Sequence, residues 1–346
     1  MFNFEKRSTL KSYIIAEAGV NHNGDPDLAK KLIYAAKQSG ADCVKFQTFV
    51  AEEVASARAP KADYQLKVTD VQESQLDMLR KLELPRDSYP ELMRLCDSIG
   101  IDFLSTPYSI GDASFLNSLG VGVFKIASGQ LVEPYFLESV AKFGKPMILS
   151  TGMATLAEVA DGVETVRKTG NRKIAVLQCT TNYPSKIEDA NLRTIPVLRE
   201  ALDVIVGYSD HIESNYACFA AVALGAEVIE KHFTLDRTMA GPDHSCSLEP
   251  AGFSELVRGI REVEAALGSQ VKQPTEAEER NKIGMRRSVA VNRDIRTGEI
   301  FTPEMLCFKR PSTGIAPSKL ANIIGKKATR NITNDTLLEM SMVDWT

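Results

Sequence analysis

Eight short β-branched runs, each followed by a longer stretch of helical spacing, constrain this chain more than any other feature. They are YIIA (13–16), DCVKF (42–46), IDFLS (101–105), GVFKI (122–126), PMILS (146–150), IAVLQC (174–179), VIVGY (204–208) and EVIEKHF (227–233). Most begin 21 to 30 residues after the previous one, the length of one strand-plus-helix unit. The second interval is longer and carries an insertion around APKADYQLKVTDVQESQ. Asp25 and Pro26 suit the cap and first turn of the first helix, with Gly40 as its stop, and Thr155 with Glu158 reads as a capping box. Eight such units predict an α/β chain whose strands close into a (β/α)8 TIM barrel. An open doubly wound sheet would show a Gly-rich fingerprint after its first strand, and none is present.

A chain of 346 residues has room for one large domain and a small one. The expected division is a catalytic barrel over 1–267, a linker over 268–285 and a small domain over 286–346. The linker, GSQVKQPTEAEERNKIGM, is polar and broken by Gly and Pro, and the tail is built of short strands and turns. Apolar residues make up 44% and charged residues 25%, ordinary values for a globular enzyme. The net charge of −4, with Lys and Arg scattered, predicts no nucleic-acid partner. No stretch approaches about 18 apolar residues and MFNFEKRSTLKS lacks a signal-peptide core, so no membrane association and a cytoplasmic location are expected. Six cysteines without a CxxC pair read as buried thiols of a reducing compartment.

Active sites of such barrels lie at the C-terminal ends of the strands. There the chain carries Glu17, Lys45 with Gln47, Ser105 with Thr106, Lys125 with Ser128, Ser150 with Thr151, Thr180, Ser209 with His211, and Glu230 with His232. Alternation along a strand puts Cys43, Lys45 and Gln47 on one face and Val44 and Phe46 on the other. Lys125 and the Glu230–His232 pair face inward by the same count. Two inward lysines are costly to desolvate unless an anion meets them, and Ser and Thr hydroxyls around them suit phosphate and carboxylate oxygens. Glycines in SGQ (128–130) and STGM (150–153) allow close backbone approach to such oxygens. No Walker-type loop is present, which argues against a nucleoside triphosphate.

Of four histidines, His211 and His232 end consecutive strands, and strands in a sheet lie about 4.8 Å apart. Two imidazoles so placed can share one divalent metal and leave positions open for water and a carbonyl oxygen. His22 and His244 fall in loops at the same end and receive no role. Glu17 can orient or deprotonate a water, and a salt bridge to Lys45 or Lys125 accounts for it equally well.

Taken together, IIAEAGVNHNGD, VKFQTF, FLSTPY, FKIASGQ, ILSTGM, QCTTNYP, VGYSDH, GAEVIEKHFTLDR and GPDHSCSLEP resemble, in order and spacing, the sialic acid synthase family. The tail RRSVAVNRDIRTGEIFTPEMLCFKRP…GKKATRNI resembles the antifreeze-like SAF module that follows the barrel in those enzymes. The resemblance implies a transferase that condenses phosphoenolpyruvate, an open-chain N-acylated aminosugar and water into a nonulosonic acid and phosphate. N-acetylmannosamine is the first acceptor implied, giving N-acetylneuraminate or a close analogue. A diacetamido-trideoxyhexose, giving a legionaminate- or pseudaminate-type product, is the alternative. The resemblance makes His211 and His232 ligands of a divalent metal, Mn²⁺ foremost with Mg²⁺ or Co²⁺ as substitutes, and makes Glu17 the residue that positions water. It assigns Lys45, Thr106, Lys125, Ser128, Ser150 and Ser209 to phosphoenolpyruvate, and Gln47, Tyr183 and Asp243 to the sugar. It also implies a domain-swapped homodimer in which Arg310 of one copy lies over the sugar site of the other. Two positions on the sugar side depart from the pattern: Gln130 stands where many relatives carry Glu, and Thr181 where some carry Asn.

Two other readings fit parts of the sequence. An aldolase barrel would form a Schiff base on Lys45 or Lys125, and a non-catalytic carbohydrate-binding protein would use the SAF module over an inactive barrel.

Overall fold

The computed structural model describes Phe4 and residues 11–62, 65–66, 69–70 and 72–346. Residues 1–3 and 5–10, and residues 63, 64, 67, 68 and 71 of the insertion, lie outside the described residues. The chain divides into two units, Met1–Gly268 and Ser269–Thr346.

The first unit is built on eight parallel strands: β1 (Tyr13–Gly19), β2 (Cys43–Thr48), β3 (Asp102–Pro107), β4 (Phe124–Ile126), β5 (Met147–Ser150), β6 (Ile174–Cys179), β7 (Ile205–Asp210) and β8 (Val228–His232). Hydrogen-bonded ladders join them in the order β3-β2-β1-β8-β7-β6-β5-β4, and β3 and β4 lie alongside each other without a ladder. This is the expected barrel, closed at its last seam by proximity alone. Helices follow the strands as predicted. Pro26–Gln38 starts where Asp25 accepts from the Asp27 N–H and is succeeded by Gly40 at φ +87°, a left-handed turn that favours glycine. Leu156–Lys168 opens on the reciprocal Thr155–Glu158 capping box.

Alternation along the strands sorts the side chains into two shells. Outward residues such as Ile14, Ala16, Val44, Phe46, Phe124, Leu149, Val206 and Ile229 pack against the helices. Inward residues begin apolar at the N-terminal end: Ile15, Cys43, Leu104, Val123, Ile148, Ala175, Leu177, Ile205 and Val228 form a plug across the barrel. Further along the strands the same inward face turns polar, with Glu17, Lys45, Thr106, Lys125, Ser150, Ser209 and Glu230 lining a cavity above the plug. Because the period is two, a slip of one residue would exchange the two shells, so burial on both faces fixes the register. Gly207 lies on the inward face of β7, where a Cβ would collide with the Val228 carbonyl oxygen and Leu177.

One charged pair sits in the outer shell. Lys231 and Asp210 meet at 2.6 Å, both almost completely buried. The Lys231 ammonium also donates to the carbonyls of Ile212 and Ser214, while Asp210 accepts from the Tyr208 hydroxyl, the Ile212 N–H and the Cys218 thiol. These bonds tie down the chain on both sides of His211.

The second unit has a core of its own, including Val289, Val291, Ile295, Phe301, Ile332 and Leu338, around the antiparallel pair β9 (Ser288–Val291) and β10 (Leu306–Lys309). The expected linker is partly structured. Glu276–Met285 is a helix opened by a Thr275–Glu278 capping box, and its Ile283 and Met285 carbonyls accept from the Ser312 N–H and Arg310 Nε. EAEERNKIGM is polar apart from Ala277, Ile283 and Met285 and so offers no apolar stripe, and the capping box marks where the helix begins. No described helix is long and apolar enough to cross a membrane.

Lys231→Met should destabilise the protein by about 3–5 kcal/mol, because it leaves the Asp210 carboxylate buried without its counter-charge. Chemical denaturation followed by circular dichroism measures this, and a loss below about 1 kcal/mol would show the pair to be dispensable.

Candidate active site

A cavity of 490 Å³ opens at the C-terminal ends of the strands. Its lining includes Glu17, Lys45, Gln47, Thr106, Lys125, Ser128, Gln130, Ser150, Thr181, Tyr183, Ser209, His211, His232 and Asp243. Every candidate residue of the barrel is thus gathered on one cavity. Arg310 belongs to the second unit, where it is exposed and donates to the Met285 carbonyl.

The floor is a buried four-charge cluster. Lys45 lies 2.6 Å from Glu17 and 3.7 Å from Glu230, and it donates to the Thr106 hydroxyl at 3.2 Å. Lys125 lies 3.6 Å from Glu230 and donates to Ser150 Oγ at 2.7 Å. Ser209 donates to Glu230 Oε1 at 3.1 Å. The anion that two inward lysines require is therefore supplied internally, by two carboxylates. Of the two readings of Glu17, the salt bridge to Lys45 is observed, and the carboxyl lines the cavity. Glu230 is the member whose importance the candidate assignments missed. Its signal was available: it shares an inward face with His232.

Burial pushes the Glu17 carboxyl up to about 7, with Glu230 adding to the rise and Lys45 opposing it. Burial holds Lys125 below the usual lysine range despite Glu230. Asp243 is raised to about 6 by burial, against the pull of His211 and Lys45.

His211 and His232 face each other across the end of the β7–β8 seam, with ring centroids 5.2 Å apart, and the Tyr183 ring packs on both at 4.1 and 5.6 Å. His211 Nδ1 is 2.7 Å from the Thr180 carbonyl, which makes Nδ1 the protonated nitrogen and leaves a lone pair on Nε2. Burial, reinforced by the His211 and lysine charges, drives His232 far below the usual range, so its ring is neutral. Its Nδ1 is buried without a hydrogen-bond partner among the described residues, with Asp243 Oδ2 4.0 Å away. Against the pull of burial, Cys179 and the Thr180 carbonyl hold His211 above the usual imidazole range, so a metal would take its deprotonated, neutral form. With the neutral His232, its orphaned nitrogen and the nearby Asp243 carboxylate, this donor set fits a divalent ion. No set of three or more His, Cys, Asp or Glu ligands occurs among the described residues, so the donor set suits an open site, completed by water or substrate.

On the rim, Gln130 Nε2 donates to the Pro107 carbonyl at 3.2 Å, leaving Oε1 buried and without a hydrogen-bond partner among the described residues. Pinned this way, the amide turns a neutral acceptor oxygen to the cavity. Several strand-end groups do not reach the site. Ser105 turns outward to Thr48, which also bonds Tyr89. Thr151 donates to the Leu177 carbonyl, and the Gly152 N–H, expected as a phosphate contact, is taken by Ser128 Oγ. His22 and His244 are fully buried behind the lining: His22 Nδ1 accepts from Gly24 N–H, and His244 Nδ1 meets Thr234 Oγ1 at 2.6 Å. They brace the loops after β1 and β8.

An eight-stranded parallel barrel with acidic, basic and imidazole groups converging on its C-terminal mouth has the architecture of a barrel enzyme. Residues 32–272 match the NeuB family and residues 286–344 match the SAF domain. The N,N'-diacetyllegionaminic acid synthase of Campylobacter jejuni is 46% identical over 95% of this chain and 99% of its own length. The protein of the same name from Legionella pneumophila is 42% identical over 96% of this chain and 94% of its own. The N-acetylneuraminic acid synthetase of Leptospira borgpetersenii, solved with citrate, superposes with a TM-score of 0.70 at 32% identity over 78% of this chain and 90% of that one. The chain belongs to the NeuB family and carries a C-terminal SAF domain.

A titration of Glu17 followed by NMR should give a midpoint near 7, and Lys45→Met should raise it further by removing the opposing charge. Since Glu17 keeps its proton to higher pH folded than unfolded, its contribution to stability falls as pH rises from its ordinary 4.5 towards 7, a slope that Glu17→Gln removes. A midpoint near 4.5 would mean that water reaches the carboxyl freely.

Proposed function

We propose that the protein is a nonulosonic acid synthase that condenses phosphoenolpyruvate with an N-acylated aminosugar aldehyde and water, releasing phosphate. The observation that carries this reading is the convergence of two buried lysines, a ring of hydroxyls and an imidazole pair on one cavity of 490 Å³, within the range of small-molecule sites. Lys45 and Lys125, with Thr106, Ser128, Ser150 and Ser209, hold the phosphate and carboxylate of phosphoenolpyruvate. His211 and His232 would hold a divalent ion, Mn²⁺ foremost, which supplies a Lewis acid for the aldehyde oxygen. C3 of phosphoenolpyruvate bonds to the aldehyde carbon, water oriented by Glu17 adds at C2, and the C2–O bond to phosphate breaks. Gln47, Gln130, Thr181, Tyr183 and Asp243 align the sugar, and closeness of the two reactants removes part of the entropic barrier.

For the acceptor, a diacetamido-trideoxyhexose leading to a legionaminate-type product takes precedence over N-acetylmannosamine. The names of the Campylobacter and Legionella relatives support it. So does an apolar arc of the cavity, Phe49, Met78, Leu79 and Leu82, which suits methyl groups, while the lining cations among the described residues are the two floor lysines. Homodimerisation, with Arg310 of one copy over the sugar of the other, completes the proposal.

Incubated with phosphoenolpyruvate, Mn²⁺ and a panel of N-acetylmannosamine and diacetamido-trideoxyhexoses, the protein should release phosphate only when a sugar is present, with product mass identifying the acceptor. His211→Ala and His232→Ala should each abolish turnover with the fold intact. Near-normal rates in either would remove the imidazole pair from the mechanism, and a borohydride-trapped lysine adduct would point to an aldolase. Arg310→Ala should raise KM for sugar at least tenfold while changing KM for phosphoenolpyruvate less than twofold, about the effect of one charge-assisted hydrogen bond. Equal losses would count against the swapped dimer.

A further inference from the structure

Gln47 bridges two groups at the cavity wall. Its Nε2 donates to Glu17 Oε1 at 3.2 Å, and its Oε1 accepts from the Tyr108 hydroxyl at 3.2 Å. Glu17 Oε2 is engaged at 2.6 Å by Lys45, so the bridge orients the carboxylate about its other oxygen. Tyr108 is itself well seated. It follows β3 directly, its N–H donates to the Thr48 carbonyl, and its ring meets Phe49 edge-on at 5.9 Å. The hydroxyl is carried on a frame that does not depend on Gln47.

An amide presents two donors on one side and an acceptor on the other, and the two ends are nearly identical in shape. Which end faces Glu17 is decided by hydrogen bonding alone. The backbone closes in on this contact from Gly19, where a Cβ would stand 3.3 Å from Glu17 Oε1 and 3.4 Å from Gln47 Nε2. The carboxylate, which only accepts, sets the orientation, and the Tyr108 hydroxyl, which can donate or accept, anchors it by donating to Oε1. Rotated by half a turn, the amide would set its oxygen against the carboxylate, acceptor against acceptor.

We propose that Tyr108 is a positioning residue, whose hydroxyl anchors the Gln47 amide that holds the Glu17 carboxylate in place beside Lys45. This rests on the synthase reading, in which Glu17 orients the attacking water. Tyr108 acts through Gln47 and does not touch the reacting atoms.

Tyr108→Phe removes the hydroxyl and keeps the ring on Phe49, so thermal stability should stay within a few degrees. The rate of phosphate release, kcat, should fall about tenfold, with KM for phosphoenolpyruvate changed less than twofold, as expected for the loss of one neutral hydrogen bond that matters to the chemical step. In a Gln47→Met background the same change should have no further effect, because the intermediary is gone. A wild-type kcat in Tyr108→Phe reduces Tyr108 to packing and overturns the proposal. So do independent, multiplying losses in the double variant, which would mean that Tyr108 acts without Gln47. If the unaltered protein releases no phosphate with any acceptor, the synthase reading itself fails and this proposal with it, a result distinct from an active enzyme indifferent to Tyr108.

Discussion

Two ammonium groups and two carboxylates are buried together at the mouth of the barrel, and the rest of the architecture serves to make that arrangement tolerable. Each of these charges alone would be costly to remove from water. Held within 2.6 to 3.7 Å of one another, they offset much of that cost, with the Thr106, Ser150 and Ser209 hydroxyls supplying further bonds. The apolar plug below the cluster seals the barrel, so the cluster works in a site with water on one side only. A low effective dielectric strengthens each contact a polar ligand would make there.

The same logic separates the structural charges from those facing the cavity. Lys231 and Asp210 are as deeply buried as the floor lysines, yet they face the helices and use most of their hydrogen-bonding capacity within the chain. Glu230 Oε2, Gln130 Oε1 and His232 Nδ1 face the cavity with bonding capacity left over. Unused capacity at a polar, buried surface marks where a ligand completes the structure. His244 follows the opposite rule, with its bonds directed to Thr234 and Asn23. His22, bonded at Nδ1 to Gly24, keeps a buried Nε2 without a hydrogen-bond partner among the described residues, but it lies off the cavity lining.

Within the barrel, period-two alternation was legible from residues such as Cys43, Lys45 and Gln47, because a strand leaves no choice about which neighbours share a face. Strand-end hydroxyls were harder to read. Ser105 and Thr106 are adjacent and chemically alike, yet only Thr106 lines the cavity, since Ser105 falls on the outward face. The helix at Glu276–Met285 went unrecognised because its faces are polar throughout, and only the capping box at Thr275 signalled it.

By itself the sequence determined the barrel and the set of groups at the strand ends, since spacing and alternation depend only on local geometry along the chain; the SAF module was legible through the resemblance of its tail. The tertiary structure alone decided how those groups are partnered. It brought Glu17 and Glu230 to the lysines, aimed His211 Nδ1 at the Thr180 carbonyl and turned Gln130 Nε2 to Pro107. Each of these contacts joins residues from different strands or loops, and hydrogen-bond direction at such a contact is set by distances across the barrel that no local pattern encodes.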